Sequence, residues 1–154
     1  MTAGPLHAFL ARSGRDGAGR PLDAVVAFDD AHIEGVHDFI QWCFPLPEAS
    51  RAVPGAPVLT AAEAEAIRAD PAARAGLLVA LDRMTRFYAG TDGWLRACDH
   101  NHLRISRIIA ATRDLVGQEA AAAFHAFVLD RNRDAGSPIN RDSLRYWDRA
   151  LAGA

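Results

Sequence analysis

The chain has 154 residues, of which 50% are apolar and 23% are charged, a composition typical of one globular domain with its own core. A net charge of −2 excludes nucleic-acid binders that depend on neutralising phosphates, and two cysteines exclude a disulfide framework. No apolar run approaches the roughly 18 residues of a transmembrane helix, and the N-terminal residues lack the charged and apolar regions of a signal peptide. We therefore expect a single soluble, cytoplasmic domain over residues 1–154, with neither a membrane span nor nucleic acid as a partner.

The N-terminal part of the chain predicts a loop followed by two helices. Residues 11–21 hold three glycines and a proline, which is typical of a loop. A short helix is predicted over 22–27. Asp29 or Asp30 is expected to cap a second helix that runs to about Cys43, where the following prolines end it.

Two further helices are predicted from their start signals. Thr60 followed by Glu63 is a capping box, which opens a helix that runs to about Ala69. Pro71 at a first helical position then starts a longer helix that ends at Gly90.

The C-terminal part predicts three more helices, over about 101–116, 119–133 and 141–152, the last of them capped by Ser143. No stretch alternates apolar and polar residues for long enough to predict a strand. The expected fold is therefore all-α, a compact single-domain bundle of five to seven helices.

Polar side chains lie at the edge of the apolar face on two of the predicted helices. At about 100° per residue, His37 and Gln41 fall one turn apart on the second helix, while Asn101 and Arg104 lie on or beside the core face of the fifth. Ordinary roles stay open for single residues: a carbonyl partner for His37, a helix cap for Asn101, an ion pair for Arg104. Convergent polar groups beside an apolar wall are also typical of a ligand pocket. The full candidate set is His37, Gln41, Trp42, His100, Asn101, Arg104 and Arg107.

Four sequence segments resemble the conserved region of the opioid growth factor receptor family. They follow in the same order as in that family and span about residues 20–130. They are His37–Glu48 (HDFIQWCFPLPE), Ala56–Thr60 (APVLT), Met84–Tyr88 (MTRFY) and His100–Ile108 (HNHLRISRI). Cys43 and Ser106 stand where the family pattern has leucine and threonine. The chain is similar to the short bacterial versions of a family whose eukaryotic members are described as receptors for an enkephalin peptide. The resemblance implies that the seven candidate residues form a shared polar site.

The favoured function is a binding module for a small anionic or peptide ligand. Arg104 and Arg107 would bind the anion through charge-assisted hydrogen bonds. Trp42 would provide an aromatic wall, and His37 and Gln41 would provide directional hydrogen bonds.

A metal-dependent enzyme is the first alternative. Glu34-x-x-His37 and Asp99-x-x-His102 have the i, i+3 spacing of carboxylate-bridged iron sites. This spacing makes all four residues candidate ligands of non-haem iron.

A metal-free enzyme is the second alternative, with His37 or His100 as a general acid or base near neutral pH. The sequence identifies no nucleophile, since it has no G-x-S-x-G motif and Cys43 is expected on a buried face. Exposed surface at Trp42 and Trp147 would allow a homodimer.

Overall fold

The computed structural model describes residues 2–50 and 52–153, and within these residues every regular element is an α-helix. The all-α prediction is confirmed, whereas the expected five to seven helices are too few. The described residues form nine helices: α1 (Pro5–Leu10), α2 (Leu22–Val26), α3 (Asp30–Gly35), α4 (Ile40–Cys43), α5 (Ala61–Ala69), α6 (Pro71–Gly90), α7 (Asn101–Leu115), α8 (Gln118–Asp134) and α9 (Arg141–Ala152). None of these helices is both long enough and apolar enough to cross a bilayer.

The predicted helix that ends at Cys43 is two short helices. Asp29 caps the first, as predicted, because its carboxylate accepts a hydrogen bond from the backbone N–H of His32 at 2.8 Å. That helix ends at Gly35, and Val36 follows it in an extended conformation. Glycine and a β-branched residue are both poor helix formers, which explains a break at this point.

Residues 1–83 form one compact unit, and residues 84–154 form a second. In the first unit, α1 packs on α4 and α5. A Cβ atom on Gly76 would clash with the carbonyl oxygen of Leu10. Only glycine therefore lets the backbone of α6 come this close to the end of α1. The core of this unit includes the buried side chains of Leu6, Phe9, Leu10, Leu22, Ile33, Phe39 and Ile67.

The capping box of α5 also connects two helices of the first unit. The Thr60 hydroxyl accepts from the backbone N–H of Glu63 at 3.1 Å, which confirms the predicted helix start. The buried Glu63 carboxylate accepts from the backbone N–H of His7 at 2.9 Å. This side-chain oxygen satisfies an N–H group in the first turn of α1, which has no intrahelical partner.

In the second unit, α7, α8 and α9 pack against one another. Ile105, Ile108, Ile109 and Thr112 are buried and form the inward face of α7. Trp147 of α9 is also fully buried. It therefore offers no surface to a second copy of the chain, and a homodimer stays a prediction.

Candidate functional site

Three of the predicted site residues lie in the first unit, and they do not share a helical face. His37 is exposed in the 36–39 link, whereas Gln41 lies in α4 and is only 6% exposed. Within the described residues, the buried Gln41 Oε1 atom has no hydrogen-bond partner. Half-buried Trp42 contacts the edge of the Phe9 ring, with 5.7 Å between ring centroids. The helical spacing predicted for His37 and Gln41 is wrong, because the helix breaks between them.

The break also removes the basis for one half of the predicted iron site. Glu34 belongs to the last turn of α3, while His37 lies beyond its end. Their i, i+3 spacing therefore does not place both side chains on one helical face.

The other four predicted residues belong to the second unit, at the start of α7. Asp99 lies just before this helix, and its carboxylate accepts from the backbone N–H of Asn101 at 2.9 Å, a group in the first turn that has no intrahelical partner. The predicted cap, Asn101, is instead the first helical residue, and its buried side chain takes part in a hydrogen-bond network. Its amide donates to Asp99 at 2.9 Å, and its carbonyl oxygen accepts from the Tyr88 hydroxyl at 3.1 Å.

The Asp99 carboxylate is held in its charged form. Burial alone raises the pKa of Asp99, but the hydrogen bonds from Asn101, the charge of His100 and the hydrogen bond from Arg96 together lower it below the ordinary value. The charged carboxylate thus stabilises the positive end of the α7 dipole.

The two arginines proposed to bind an anion are less accessible than expected. Arg104 is only 8% exposed, and Arg107 is half-buried. An anion from solvent would therefore meet little of the Arg104 side chain. The anion site at Arg104 and Arg107 stays a prediction.

A pocket of about 180 Å³ opens in the second unit, between the N-terminal ends of α7 and α9. Its polar lining includes His102, Asn140 and Ser143. Leu103 and Tyr146, which are 67% and 55% exposed, form an apolar rim. They are two of the four large apolar side chains that are exposed within the described residues, so exposed apolar surface is concentrated at this pocket.

The imidazole of His102 connects the pocket to the loop that precedes α7. Its Nε2 atom lies 2.9 Å from the carbonyl oxygen of Trp94, and its Nδ1 atom lies 3.2 Å from the Ser143 hydroxyl. A carbonyl oxygen only accepts, so Nε2 carries the hydrogen and, in the neutral ring, Nδ1 is the acceptor. The Ser143 hydroxyl therefore donates to Nδ1. Asn140 in turn donates from its side-chain amide to the Ser143 oxygen at 2.9 Å.

The Trp94 carbonyl is held in place by the surrounding loop and helices. The Trp94 indole is buried and donates to the carbonyl oxygen of Thr91 at 3.0 Å. Arg131 of α8 donates to the carbonyl oxygens of Thr91 at 3.0 Å and Tyr88 at 3.2 Å, which satisfies groups left open at the end of α6. The acceptor for His102 thus belongs to an ordered loop.

Sequence reasoning identified only part of this pocket. His102 was a candidate iron ligand, but a metal could bind its ring only by displacing one of the two hydrogen bonds just described. Ser143 was the predicted cap of α9, and this is wrong. Asn140 caps that helix, because its side-chain oxygen accepts from the backbone N–H of Ser143 at 2.8 Å. The sequence feature that identifies this cap is the position of Asn140 directly before the helix, since asparagine is among the best N-cap residues.

Comparison with known proteins confirms the family resemblance over part of its predicted range. Residues 26–92 match the family model of the opioid growth factor receptor (OGFr) conserved region. This match is shorter than the expected 20–130, and the pocket residues lie beyond its end. No curated protein and no solved structure gives a significant match.

Proposed function

We propose that this chain, whose residues 26–92 carry the opioid growth factor receptor conserved region, is a binding domain that takes a small ligand in the pocket between α7 and α9. The observation that carries the proposal is the combination of a polar base with an exposed apolar rim. Ligand sites typically combine apolar walls with a few polar groups that fix orientation. Ser143 and His102 supply such groups here.

The size of the pocket limits what it can hold. Its volume of about 180 Å³ is below the range of roughly 300–1,000 Å³ typical of pockets for drug-sized ligands. The proposed ligand is therefore a small molecule, or one side chain of a peptide.

The charges around the pocket argue against the anion expected from the sequence. The described lining residues include the carboxylates of Asp99 and Asp142 and no arginine. Two carboxylates would repel an anion and would raise the cost of removing it from water. We therefore propose a neutral ligand with an apolar part, which is a different ligand class from the one that Arg104 and Arg107 would bind.

Titration with acetanilide, a small neutral aromatic amide, tests this proposal. We expect it to shift the backbone amide NMR signals of residues around Leu103 and Ser143, with a dissociation constant of about 1 mM or tighter. Leu103→Ala should weaken binding, because it removes part of the apolar rim. Leu78→Ala is the matched control, since Leu78 is also an exposed helical leucine but does not line the pocket.

Signal shifts elsewhere in the chain, or equal weakening by both leucine variants, would contradict the proposed site. The bacterial origin and the cytoplasmic location stay predictions. So does non-haem iron at Glu34, His37, Asp99 and His102.

A further inference from the structure

We infer that Ser143 is a nucleophile and His102 its general base, so that the pocket performs acyl transfer from a small neutral ester, with water as the final acceptor. The inference rests on the proposed function, because the ester must first occupy the same pocket. It adds a reaction and a substrate class to that binding site.

The hydrogen bond from Ser143 to His102 has the direction that nucleophilic activation requires. The hydroxyl oxygen lies 3.2 Å from Nδ1, the ring atom that carries the available lone pair. The Trp94 carbonyl accepts from Nε2 at 2.9 Å, so it orients the ring and would stabilise the positive charge that forms when Nδ1 takes a proton. Ser143, His102 and the Trp94 carbonyl thus form a hydrogen-bonded chain of a nucleophile, a base and a group that orients the base.

Two groups beside the Ser143 oxygen stabilise negative charge on it, against the repulsion from the Asp99 and Asp142 carboxylates in the pocket lining. The side-chain amide of Asn140 donates to this oxygen at 2.9 Å, and a donated hydrogen bond strengthens as negative charge develops. Ser143 also lies in the first turn of the 12-residue helix α9, where the helix dipole favours negative charge. Both effects stabilise the charge that builds up on and beside the nucleophile.

The hydroxyl of Ser143 is not needed to cap the helix, because Asn140 already performs that role. Ser143 is only partly buried and lines the pocket, so a bound ester can approach its oxygen.

The Ser143 oxygen forms a bond to the ester carbonyl carbon, and its proton moves to Nδ1 of His102. The bond from that carbon to the leaving oxygen then breaks, and Nδ1 returns the proton to the departing alcohol. Water next attacks the acyl-serine, again with His102 as base, and releases the carboxylic acid and the original hydroxyl.

Labelling with a fluorophosphonate probe tests the inference on the intact chain. The probe should form a phosphorus–oxygen bond at Ser143 with release of fluoride, which peptide mass mapping would locate. Ser143→Ala should abolish this label. Ser13→Ala is the control, because Ser13 lies outside the pocket and its hydroxyl donates to the backbone carbonyl of Ala8 at 3.3 Å. That variant should be labelled like the wild type.

The His102→Gln variant, checked for its fold by circular dichroism, should label about 100-fold more slowly. Acetanilide should protect Ser143 from the probe. An unlabelled Ser143 in the wild type, or an unchanged rate in folded His102→Gln, would overturn the inference. If acetanilide binds while Ser143 remains unlabelled, the pocket is a binding site and the acyl-transfer chemistry is wrong. If Ser143 is labelled while acetanilide shifts no pocket signal, the nucleophile is supported and the proposed binding specificity fails.

Discussion

At the scale of single residues, the buried histidine of α1 shows how one ring connects distant parts of the first unit. The His7 Nδ1 atom accepts from the backbone N–H of Ala3 at 2.9 Å, so the hydrogen of the neutral ring is on Nε2. Nε2 donates to the Asp70 carboxylate at 2.7 Å, just before α6 begins. This hydrogen bond, with a second from the backbone N–H of Ala72, lowers the pKa of Asp70 below its ordinary value.

Asp70 should therefore stabilise the fold in a pH-dependent way. A carboxyl group whose pKa is lower in the folded chain stabilises it above the ordinary pKa of about 3.9 and loses that effect as the pH falls through the lowered value. We expect Asp70→Asn to reduce the urea midpoint at about pH 6, with a smaller difference from wild type at about pH 3. Asparagine can still accept from the Ala72 N–H, so the helix cap is kept.

Glu65→Gln is the control for Asp70→Asn, because Glu65 is an exposed carboxylate on α5. It should change the urea midpoint little at either pH. A loss for Asp70→Asn that stays the same at both pH values would contradict the proposed ionic contribution.

At the scale of elements, the clearest constraint is the contact between α6 and the end of α1. A methyl group on Gly76 would clash with the Leu10 carbonyl oxygen, whereas a methyl group on Gly35 would have no neighbouring atom within 4 Å. Gly76→Ala should therefore cost about 1–3 kcal/mol of unfolding free energy, as overpacking typically does. Gly35→Ala should be neutral, or should stabilise the fold by up to about 1 kcal/mol through the entropy of the unfolded chain.

Denaturant unfolding of both glycine variants measures this difference. Equal losses would mean that the close approach of α6 to α1 is not what requires Gly76. A gain for Gly35→Ala would also support glycine as one cause of the break after α3.

Local signals predicted helix starts well and helix continuity less well. Thr60 and Asp29 cap the helices that they were expected to cap, because a cap depends on residues within one turn. The helix through residues 36–39 was wrongly predicted, because apolar periodicity reports which side chains can be buried and not whether the backbone stays helical between them. In α9, the predicted cap Ser143 lies three positions after the actual cap, Asn140.

At the scale of the whole molecule, the two cysteines lie in different environments. Cys43 is buried in the first unit, while Cys98 is exposed in the second. Burial raises the pKa of the Cys43 thiol well above its ordinary value, and the charge of Asp16 raises it further, against a lowering by Arg20. Because the thiolate is the reactive form, Cys43 should be inert in the native chain.

A disulfide-exchange reagent such as Ellman's reagent should therefore modify one thiol of the native protein rapidly, and mass mapping should locate it at Cys98. Cys43 should react only as urea unfolds the chain. Cys98→Ser should abolish the fast phase, and Cys43→Ser should leave it unchanged. Fast modification of Cys43 without denaturant would contradict the burial of α4.

The sequence alone determined the all-α class, most helix boundaries and a family resemblance that the family model matches over residues 26–92, because short-range spacing, caps and local motifs encode these properties. Only the tertiary structure decided that His102 and Ser143, 41 positions apart, share a hydrogen bond at the base of a pocket. It also decided that Arg104 is buried. These features arise from the packing of α7, α8 and α9, and the periodicity of one helix cannot report which neighbour covers each of its faces.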